Sequence, residues 1–177
     1  SMCYPVSSMG SHVSVVPNHQ LNRKTPLHTR ANVAYFGTFG YELDLNKLSD
    51  EEISEVKQQI TFMKEYRELI QFGTFYRLKS PFEGNETAWM TVSEDKKTAL
   101  VFWYRERNVV NADFTRVRLQ GLDPDLIYRN EYNETENYGD ELMNLGLLTT
   151  DCTAGEPTSE DEPCTDYESR IYVLTAK

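Results

Sequence analysis

The longest periodic stretch of the chain predicts an amphipathic helix over residues 49–72. Apolar residues recur there at helical spacing, at Ile53, Val56, Ile60, Met63 and Ile70. Ser49 followed three residues later by Glu52 forms a capping-box pattern, in which each side chain satisfies a backbone N–H group of the first turn. Gly73 then supplies a helix stop. We therefore expect a helix that covers a hydrophobic core with one face.

The segment before this helix alternates short apolar runs with polar, turn-rich stretches. The pattern predicts a strand at 2–8, a long loop at 10–25, a helix at 27–36 opened by Pro26, and a strand at 41–45. Strands that alternate with helices predict parallel pairing. Two strands alone cannot form a stable parallel sheet, because both of its faces must be covered. Residues 1–73 are therefore expected to be a slice of a larger α/β structure.

Beyond Gly73 the apolar pattern changes to the two-residue period of β-strands. Short β-rich runs separated by turn residues predict strands at 75–79, 87–93, 99–105, 114–120, 126–131 and 170–175. In the fourth of these runs Val117 and Leu119 alternate with arginines, which is typical of a half-buried antiparallel strand. The sequence therefore predicts an α+β chain whose residues 74–177 form an antiparallel, sandwich-like β domain, with the Cys152–Cys164 region in a long loop.

The net charge of −10 is concentrated in one part of the chain. Residues 131–168 contain twelve of the 28 acidic residues and no Lys or Arg, while the remainder is close to neutral and has no basic stripe. This distribution argues against nucleic acid and anionic membrane surfaces as partners. The acidic run is either a solvated loop or a calcium site, and no D-x-D-x-D-G loop supports the calcium site.

Cysteine usage and hydropathy bear on the compartment. The three cysteines, Cys3, Cys152 and Cys164, are too few and too scattered for a disulfide framework. The sequence still allows one disulfide bridge, between Cys152 and Cys164. No apolar run approaches the length of a membrane span, and no signal-peptide pattern begins the sequence. We expect a reducing, cytoplasmic location.

The histidines and the polar residues near them are the first candidates for chemistry. His12, His19 and His28 lack the close spacing of zinc ligands, and no H-E-x-x-H or C-x-x-C motif is present, so no metal is expected. Residues 10–20 follow a predicted strand end, where ligand-binding groups cluster in α/β folds. His12, Asn18 and His19 are therefore candidate substrate-binding residues. The alternative is that they satisfy backbone groups of an irregular loop.

Two further groups have a functional interpretation beside a structural one. Glu42 and Asp44 would share one face of a strand as a hydrolytic carboxylate pair, or would face solvent and cap a turn. Trp89, Trp103 and Tyr104 would form a sugar-stacking platform on the β domain, or the two tryptophans would pack across neighbouring strands in the core. The sequence favours the structural interpretation for both groups.

Six motifs stand in order along the chain. They are YPVSSMGSHVS (4–14), VPNHQ (16–20), TRANVAYFGTFGYELDL (29–45), SPFEGNE (80–86), GLDP (121–124) and RIYVL (170–174). Together they closely resemble the C-terminal portion of bacterial alpha-galactosidases of glycoside hydrolase family 36. The resemblance covers most of the chain, but residues 149–166 form an acidic, cysteine-bearing insertion outside it whose role is open.

The resemblance implies that residues 1–73 are the last two βα units of a (β/α)8 catalytic barrel and that 74–177 are the C-terminal β domain. It implies retaining hydrolysis of terminal alpha-1,6-galactosides such as melibiose and raffinose, no cofactor, and a homo-oligomeric full-length protein that binds galactoside oligosaccharides. The family's nucleophile Asp lies in a K-x-D segment and its acid/base Asp in a W-T-S-D-x-T-D segment, and neither occurs here. We therefore expect an enzyme fragment that is inactive alone. The alternative is a noncatalytic carbohydrate-binding or interaction module.

Overall fold

The computed structural model describes residues 3–109, 114–149 and 166–177. The chain divides into two compact units, Ser1–Gly73 and Thr74–Lys177. Cys152 and Cys164, the two cysteines of the alternative disulfide bridge, lie outside the described residues. Cys3 is exposed. Within the described ranges, no helix has the length and apolar character needed to cross a membrane.

The Ser1–Gly73 unit contains two short strands and two helices. In chain order it has a 3₁₀ turn (Val6–Ser8), strand β1 (His12–Ser14), helix α1 (Leu27–Ala34), strand β2 (Gly40–Glu42), a second 3₁₀ turn (Leu45–Lys47) and helix α2 (Asp50–Phe72). β1 and β2 pair in parallel, with Val13 opposite Tyr41. The predicted parallel pairing and the order of strands and helices are confirmed, although α1 and β2 end two and three residues before their predicted limits.

The first strand lies later in the chain than predicted. A strand over 2–8 is wrong, because Val6–Ser8 form a turn in which the Ser8 N–H and hydroxyl both donate to the Pro5 carbonyl, at 3.0 and 2.9 Å. Pro5 has a fixed φ and no N–H group to offer a strand ladder. β1 instead begins at His12, inside the segment predicted as a loop.

Helix α2 begins as the sequence predicts. The Ser49 hydroxyl accepts from the Glu52 N–H at 3.2 Å, and the Glu52 carboxylate accepts from the Ser49 N–H at 2.9 Å. These two reciprocal bonds complete the capping box. Val56, Met63 and Ile70 are buried on one side of the helix, so the predicted apolar face is also confirmed.

The Thr74–Lys177 unit is built on a six-stranded antiparallel sheet. Its elements are β3 (Thr74–Lys79), β4 (Glu86–Val92), β5 (Thr98–Arg105), β6 (Arg116–Val117), β7 (Ile127–Asn130), β8 (Glu136–Tyr138), α3 (Gly139–Asn144), β9 (Leu147–Leu148) and β10 (Glu168–Ala176). The strand order is β3-β4-β5-β10-β7-β8, and β6 pairs with β9 in a separate two-stranded sheet. The predicted antiparallel β domain is confirmed, and its described residues form two sheets of very unequal size.

Leu100 and Phe102 are fully buried on one face of the large sheet, and the main core of this unit lies on the other face. This core contains Ala88, Met90, Val92, Ala99, Val101, Trp103, Val117, Leu119, Leu122, Tyr128, Leu142, Leu147, Tyr172 and Leu174. The alternation seen over 114–120 is confirmed, because Val117 and Leu119 are buried and the arginines beside them are exposed. Only two residues of that run form a strand, since its partner β9 is equally short.

Gly146 turns the chain from α3 into β9. Its φ is +91°, and its N–H donates to the Glu141 carbonyl at 3.2 Å. A Cβ at this position would lie 2.9 Å from the backbone carbonyl of Val117. Glycine is therefore required both by the backbone conformation and by the close approach of β6.

Candidate functional site

One face of the β1–β2 pair is polar and partly exposed, and we call it the open face. It is formed by His12, Ser14, Gly40 and Glu42. These residues share a side because alternate residues of a strand point to opposite faces. On the other side, Val13 is fully buried where α1 packs on β1, and the Tyr41 hydroxyl donates to Gln59 of α2 at 2.8 Å. Helices therefore cover only one face of this parallel pair.

A charged contact crosses the open face. His12 Nε2 and Glu42 Oε2 lie 2.7 Å apart, and the two groups form an ion pair when the imidazole is protonated. The side chains are 52% and 73% exposed, so the contact contributes little to stability as it stands. Sequence reasoning missed the pair, because its signal, two same-face positions on neighbouring strands, appears only once β1 is placed at His12.

Asp44 does not act with Glu42 as a carboxylate pair. β2 ends at Glu42, and Asp44 Oδ1 accepts from the backbone and side-chain N–H groups of Asn46, at 3.1 and 3.0 Å. These hydrogen bonds hold the pKa of the Asp44 carboxyl below its ordinary value. Asp44 is thus the cap of the turn that follows β2, as its structural interpretation predicts.

The β1–α1 loop, residues 15–26, carries two of the predicted site residues, Asn18 and His19. Asn18 Oδ1 accepts from the N–H groups of Gln20 and Leu21, both at 3.0 Å. The Asn18 backbone closes the same turn with two further hydrogen bonds. Asn18 therefore organises the loop, and His19 stands exposed beside it.

Arg30 of α1 joins the two ends of this loop. Its Nη1 donates to the carbonyl of Ser14, the last residue of β1, at 2.6 Å. Its Nε donates to the carbonyl of Thr25, at the other end of the loop, at 3.0 Å. Burial lowers the pKa of the Arg30 guanidinium, and the charges of Glu52 and Glu55 on α2 oppose this effect.

The structure therefore separates the three predicted substrate-binding residues into two places. His12 begins β1 and lies on the open face, whereas Asn18 and His19 lie in the loop that follows the strand. His28 is exposed on α1. In the part of the chain that the structure describes, no group of three or more His, Cys, Asp or Glu residues is arranged to hold a metal ion.

Trp89 and Trp103 lie on opposite faces of the large sheet, so the prediction that they pack on each other is wrong. In the β4–β5 ladder, Ala88 is opposite Trp103 and Trp89 is opposite Phe102. A register offset of one residue reverses the face of a side chain. Trp103 is fully buried in the core, and Trp89 stacks on Tyr104 with ring centroids 4.7 Å apart. The three aromatic residues therefore do not form one sugar platform.

A polar cleft of roughly 520 Å³ lies where β3, β4 and β5 meet the β3–β4 loop. Three of its charged lining residues, Lys79, Glu86 and Arg105, form ion pairs. Lys79 pairs with Glu86, and the second Glu86 oxygen accepts from Thr115 Oγ1 at 2.9 Å. Arg105 pairs with Glu168 of β10. The cleft therefore presents largely neutralised charges.

Family profiles match both units. The Melibiase profile matches residues 1–73, and the profile of the Glycosyl hydrolase family 36 C-terminal domain matches residues 86–174. The chain belongs to glycosyl hydrolase family 36. The family resemblance inferred from the six sequence motifs is thereby confirmed.

Family 36 relatives match with high identity over a small part of their own length. Alpha-galactosidase AgaA of Geobacillus stearothermophilus is 52% identical over 147 residues, which is 83% of this chain and 20% of AgaA. Alpha-galactosidase 1 of Pediococcus pentosaceus is 44% identical over 176 residues, which is 99% of this chain and 22% of that protein. The chain therefore spans about a fifth of the length of the curated relatives it matches.

Solved structures of the family match nearly the whole chain. The crystal structure of AgaA has a TM-score of 0.88 at 46% identity, covering 98% of this chain and 23% of AgaA. The alpha-galactosidase from Lactobacillus brevis has a TM-score of 0.90 at 43% identity, with the same coverage. The predicted fold class, part of a (β/α)8 barrel followed by an antiparallel β domain, is confirmed.

Proposed function

We propose that this chain is the C-terminal part of a retaining alpha-galactosidase that removes terminal alpha-1,6-linked galactose from melibiose- or raffinose-type oligosaccharides. Membership of family 36 supports the reaction class, because the matching relatives are named alpha-galactosidases. We further propose that the chain is inactive alone, since it spans about a fifth of those relatives.

The open face is the observation that supports this proposal most directly. In a (β/α)8 barrel the strands are parallel, the helices cover the outer face, and side chains on the inner face fill the interior. The β1–β2 pair has this arrangement on its helical side, while His12 and Glu42 on the other side are exposed. Two strands make a section of wall and cannot enclose a sugar.

The chemistry requires groups that this section of wall does not offer. Retaining hydrolysis uses two carboxyl groups roughly 5–5.5 Å apart. One attacks the anomeric carbon, and the other protonates the leaving oxygen and then removes a proton from the water that releases the sugar. Glu42 is engaged by His12, and Asp44 caps a turn. We therefore assign both reacting carboxylates to the part of the relatives that this chain does not span.

Asn18 and His19 are proposed to lie at the mouth of the active site in the intact enzyme. They follow a barrel strand, and loops in that position build the active sites of (β/α)8 enzymes. In this role they would orient substrate or neighbouring loops without transferring protons. His12 is proposed to face the barrel interior, because it lies on the open face.

An activity assay and a chimera test the proposal. The purified 177-residue chain should hydrolyse p-nitrophenyl alpha-galactoside no faster than buffer. A chimera in which this chain replaces the matching C-terminal part of AgaA should regain turnover that AgaA cut at the same position lacks. Activity proportional to the isolated chain would contradict its proposed inactivity. A folded chimera without turnover would contradict the enzyme assignment.

The intact protein is also proposed to be a cytoplasmic homo-oligomer that binds galactoside oligosaccharides. The cytoplasmic location is supported by the small number of scattered cysteines. Light scattering of the chimera measures the oligomeric state, and a monomer at micromolar concentration would contradict this part of the proposal.

A further inference from the structure

We infer that Arg30 is a positioning residue for the reaction of the intact enzyme, acting through the β1–α1 loop. The inference rests on the proposed function, under which this loop lies at the mouth of the active site. The inference goes beyond that function because Arg30 lies on α1, the helix that follows the loop, and is not one of the predicted site residues.

The loop needs an external constraint at its ends. It leaves β1 at Ser14 and returns to α1 after Thr25, and residues 19–24 between these points are exposed. The turn around Asn18 fixes the shape of the middle of the loop by bonds within it. Such internal bonds do not fix where the loop sits relative to the strand.

Arg30 supplies such a constraint. Its two hydrogen bonds reach carbonyls eleven residues apart in sequence, one at each end of the loop. The guanidinium is planar and its N–H groups have fixed directions, so bonding both carbonyls sets the distance and angle between the two chain ends. A lysine ammonium presents a single point charge and lacks this rigid fork.

Among the described residues, Arg30 hydrogen-bonds backbone carbonyls and not carboxylates. It donates hydrogen bonds to two neutral carbonyls, and within that part of the chain it forms no ion pair at 4 Å with a carboxylate. A partly buried cation without a close counter-charge carries a desolvation cost. Glu52 and Glu55 act on it only as more distant charges. The arrangement favours a role in holding the loop over a role in maximising stability.

The active AgaA chimera tests this role through variants of Arg30. Arg30→Ala should lower kcat by about 10–100-fold, because a small displacement of positioning groups has this effect on rate. KM should stay within about threefold, and the Tm should stay within about 3 °C. Arg30→Lys should recover part of the loss. Arg67→Ala is the matched control, since Arg67 is an exposed arginine of α2 without an ion pair among the described residues.

Amide hydrogen exchange on the 177-residue chain gives a second readout that needs no activity. Arg30→Ala should speed exchange in peptides covering 15–25, while Arg67→Ala should leave it unchanged. Unchanged exchange in this loop, or a lower Tm with unchanged kcat in the chimera, would overturn the inference. An unsubstituted chimera that folds but lacks activity would instead identify a failure of the proposed function.

Discussion

Six strands of the Thr74–Lys177 unit form one antiparallel sheet with a core of fourteen described residues on one face, whereas the Ser1–Gly73 unit has one pair of three-residue parallel strands. The six strands of the large sheet all pair within their own unit, whereas parallel sheets are found with both faces covered, which a single pair of strands cannot achieve. The β unit therefore has the organisation of an independent domain. The 1–73 unit has the organisation of a section of a larger α/β structure, because no described element of the unit covers its open face or its outer strand edges.

Cutting the chain after Gly73 tests this comparison most severely. We expect residues 74–177 to remain folded and monomeric, because their sheet and core are internal to the unit. Residues 1–73 should lose cooperative unfolding or self-associate, because uncovered strand edges and faces promote association. Circular dichroism melts and light scattering measure both outcomes. A monodisperse 1–73 fragment that unfolds cooperatively would break the comparison.

Trp103→Ala should produce the largest loss among single substitutions in the β unit. Trp103 is fully buried, and truncating such a side chain removes its contacts and leaves a cavity. We expect the free energy of unfolding to fall by about 3–5 kcal/mol, measured by urea denaturation. Phe82→Ala is the control, since Phe82 is 95% exposed and its loss should change stability by less than about 0.5 kcal/mol. Equal effects of the two substitutions would contradict the assigned core.

Gly146→Ala should have a smaller effect in the same unit. An alanine there must adopt a left-handed conformation and approach the Val117 carbonyl. We expect a loss of about 1–2 kcal/mol from the backbone conformation, measured in the same urea series. Gly84→Ala serves as the control, because a Cβ at Gly84 meets nothing within 4 Å. A neutral Gly146→Ala would show that the α3–β9 connection adapts.

Ser49→Ala should weaken the 1–73 unit by about 1 kcal/mol, because it removes one half of the capping box of α2. The exposed Ser54, inside the same helix, provides a matched Ser→Ala control that should be neutral. Thermal melts of the whole chain followed at a helix-sensitive wavelength measure the difference. A larger effect from Ser54→Ala would sink the capping explanation.

Alkaline pH should destabilise the 1–73 unit slightly more than the β unit. Burial raises the pKa of Tyr41 to about 12, and raises the pKa values of Tyr35 in the same unit and Tyr128 in the β unit. The unfolded chain ionises these tyrosines first, near pH 10. Stability is therefore retained below about pH 10 and falls as pH rises through the folded pKa values. Thermal melts between pH 8 and 11 should show that the Tm of the 1–73 unit falls more steeply with pH than the Tm of the β unit. Tyr41→Phe should make the fall of the 1–73 Tm less steep.

The comparison also separates what sequence reasoning could and could not reach. α2 was predictable because its capping box and apolar spacing are local, and β4 and β5 because their runs are long. β1 was not, because three residues cannot display a period, and the apolar run before it is interrupted by Pro5. Strand position within the 1–73 unit depends on pairing partners, and the described residues of this unit offer each strand only one.

The candidate site was predictable only in outline. The segment holding Asn18 and His19 could be identified as a loop near a strand end from its polar composition. The His12–Glu42 contact depended on the exact strand register, and the two carbonyl bonds of Arg30 depended on tertiary placement. Neither of these contacts produces a periodic pattern of residues in the sequence. The error in placing Trp89 and Trp103 has the same origin, since one residue of register decided their faces.

β10 lies between β5 and β7, although both of these strands precede it in the chain. As the polypeptide leaves the ribosome, β3–β5 and β7–β8 therefore emerge as two separate half-sheets. The edge strand β5 of the first and the edge strand β7 of the second both lack their common partner, β10. Their open edges are competent to pair with other nascent chains during this interval. Sheet closure consequently waits for the synthesis of β10, and translation that halts before Glu168 would release two half-sheets without the strand that joins them.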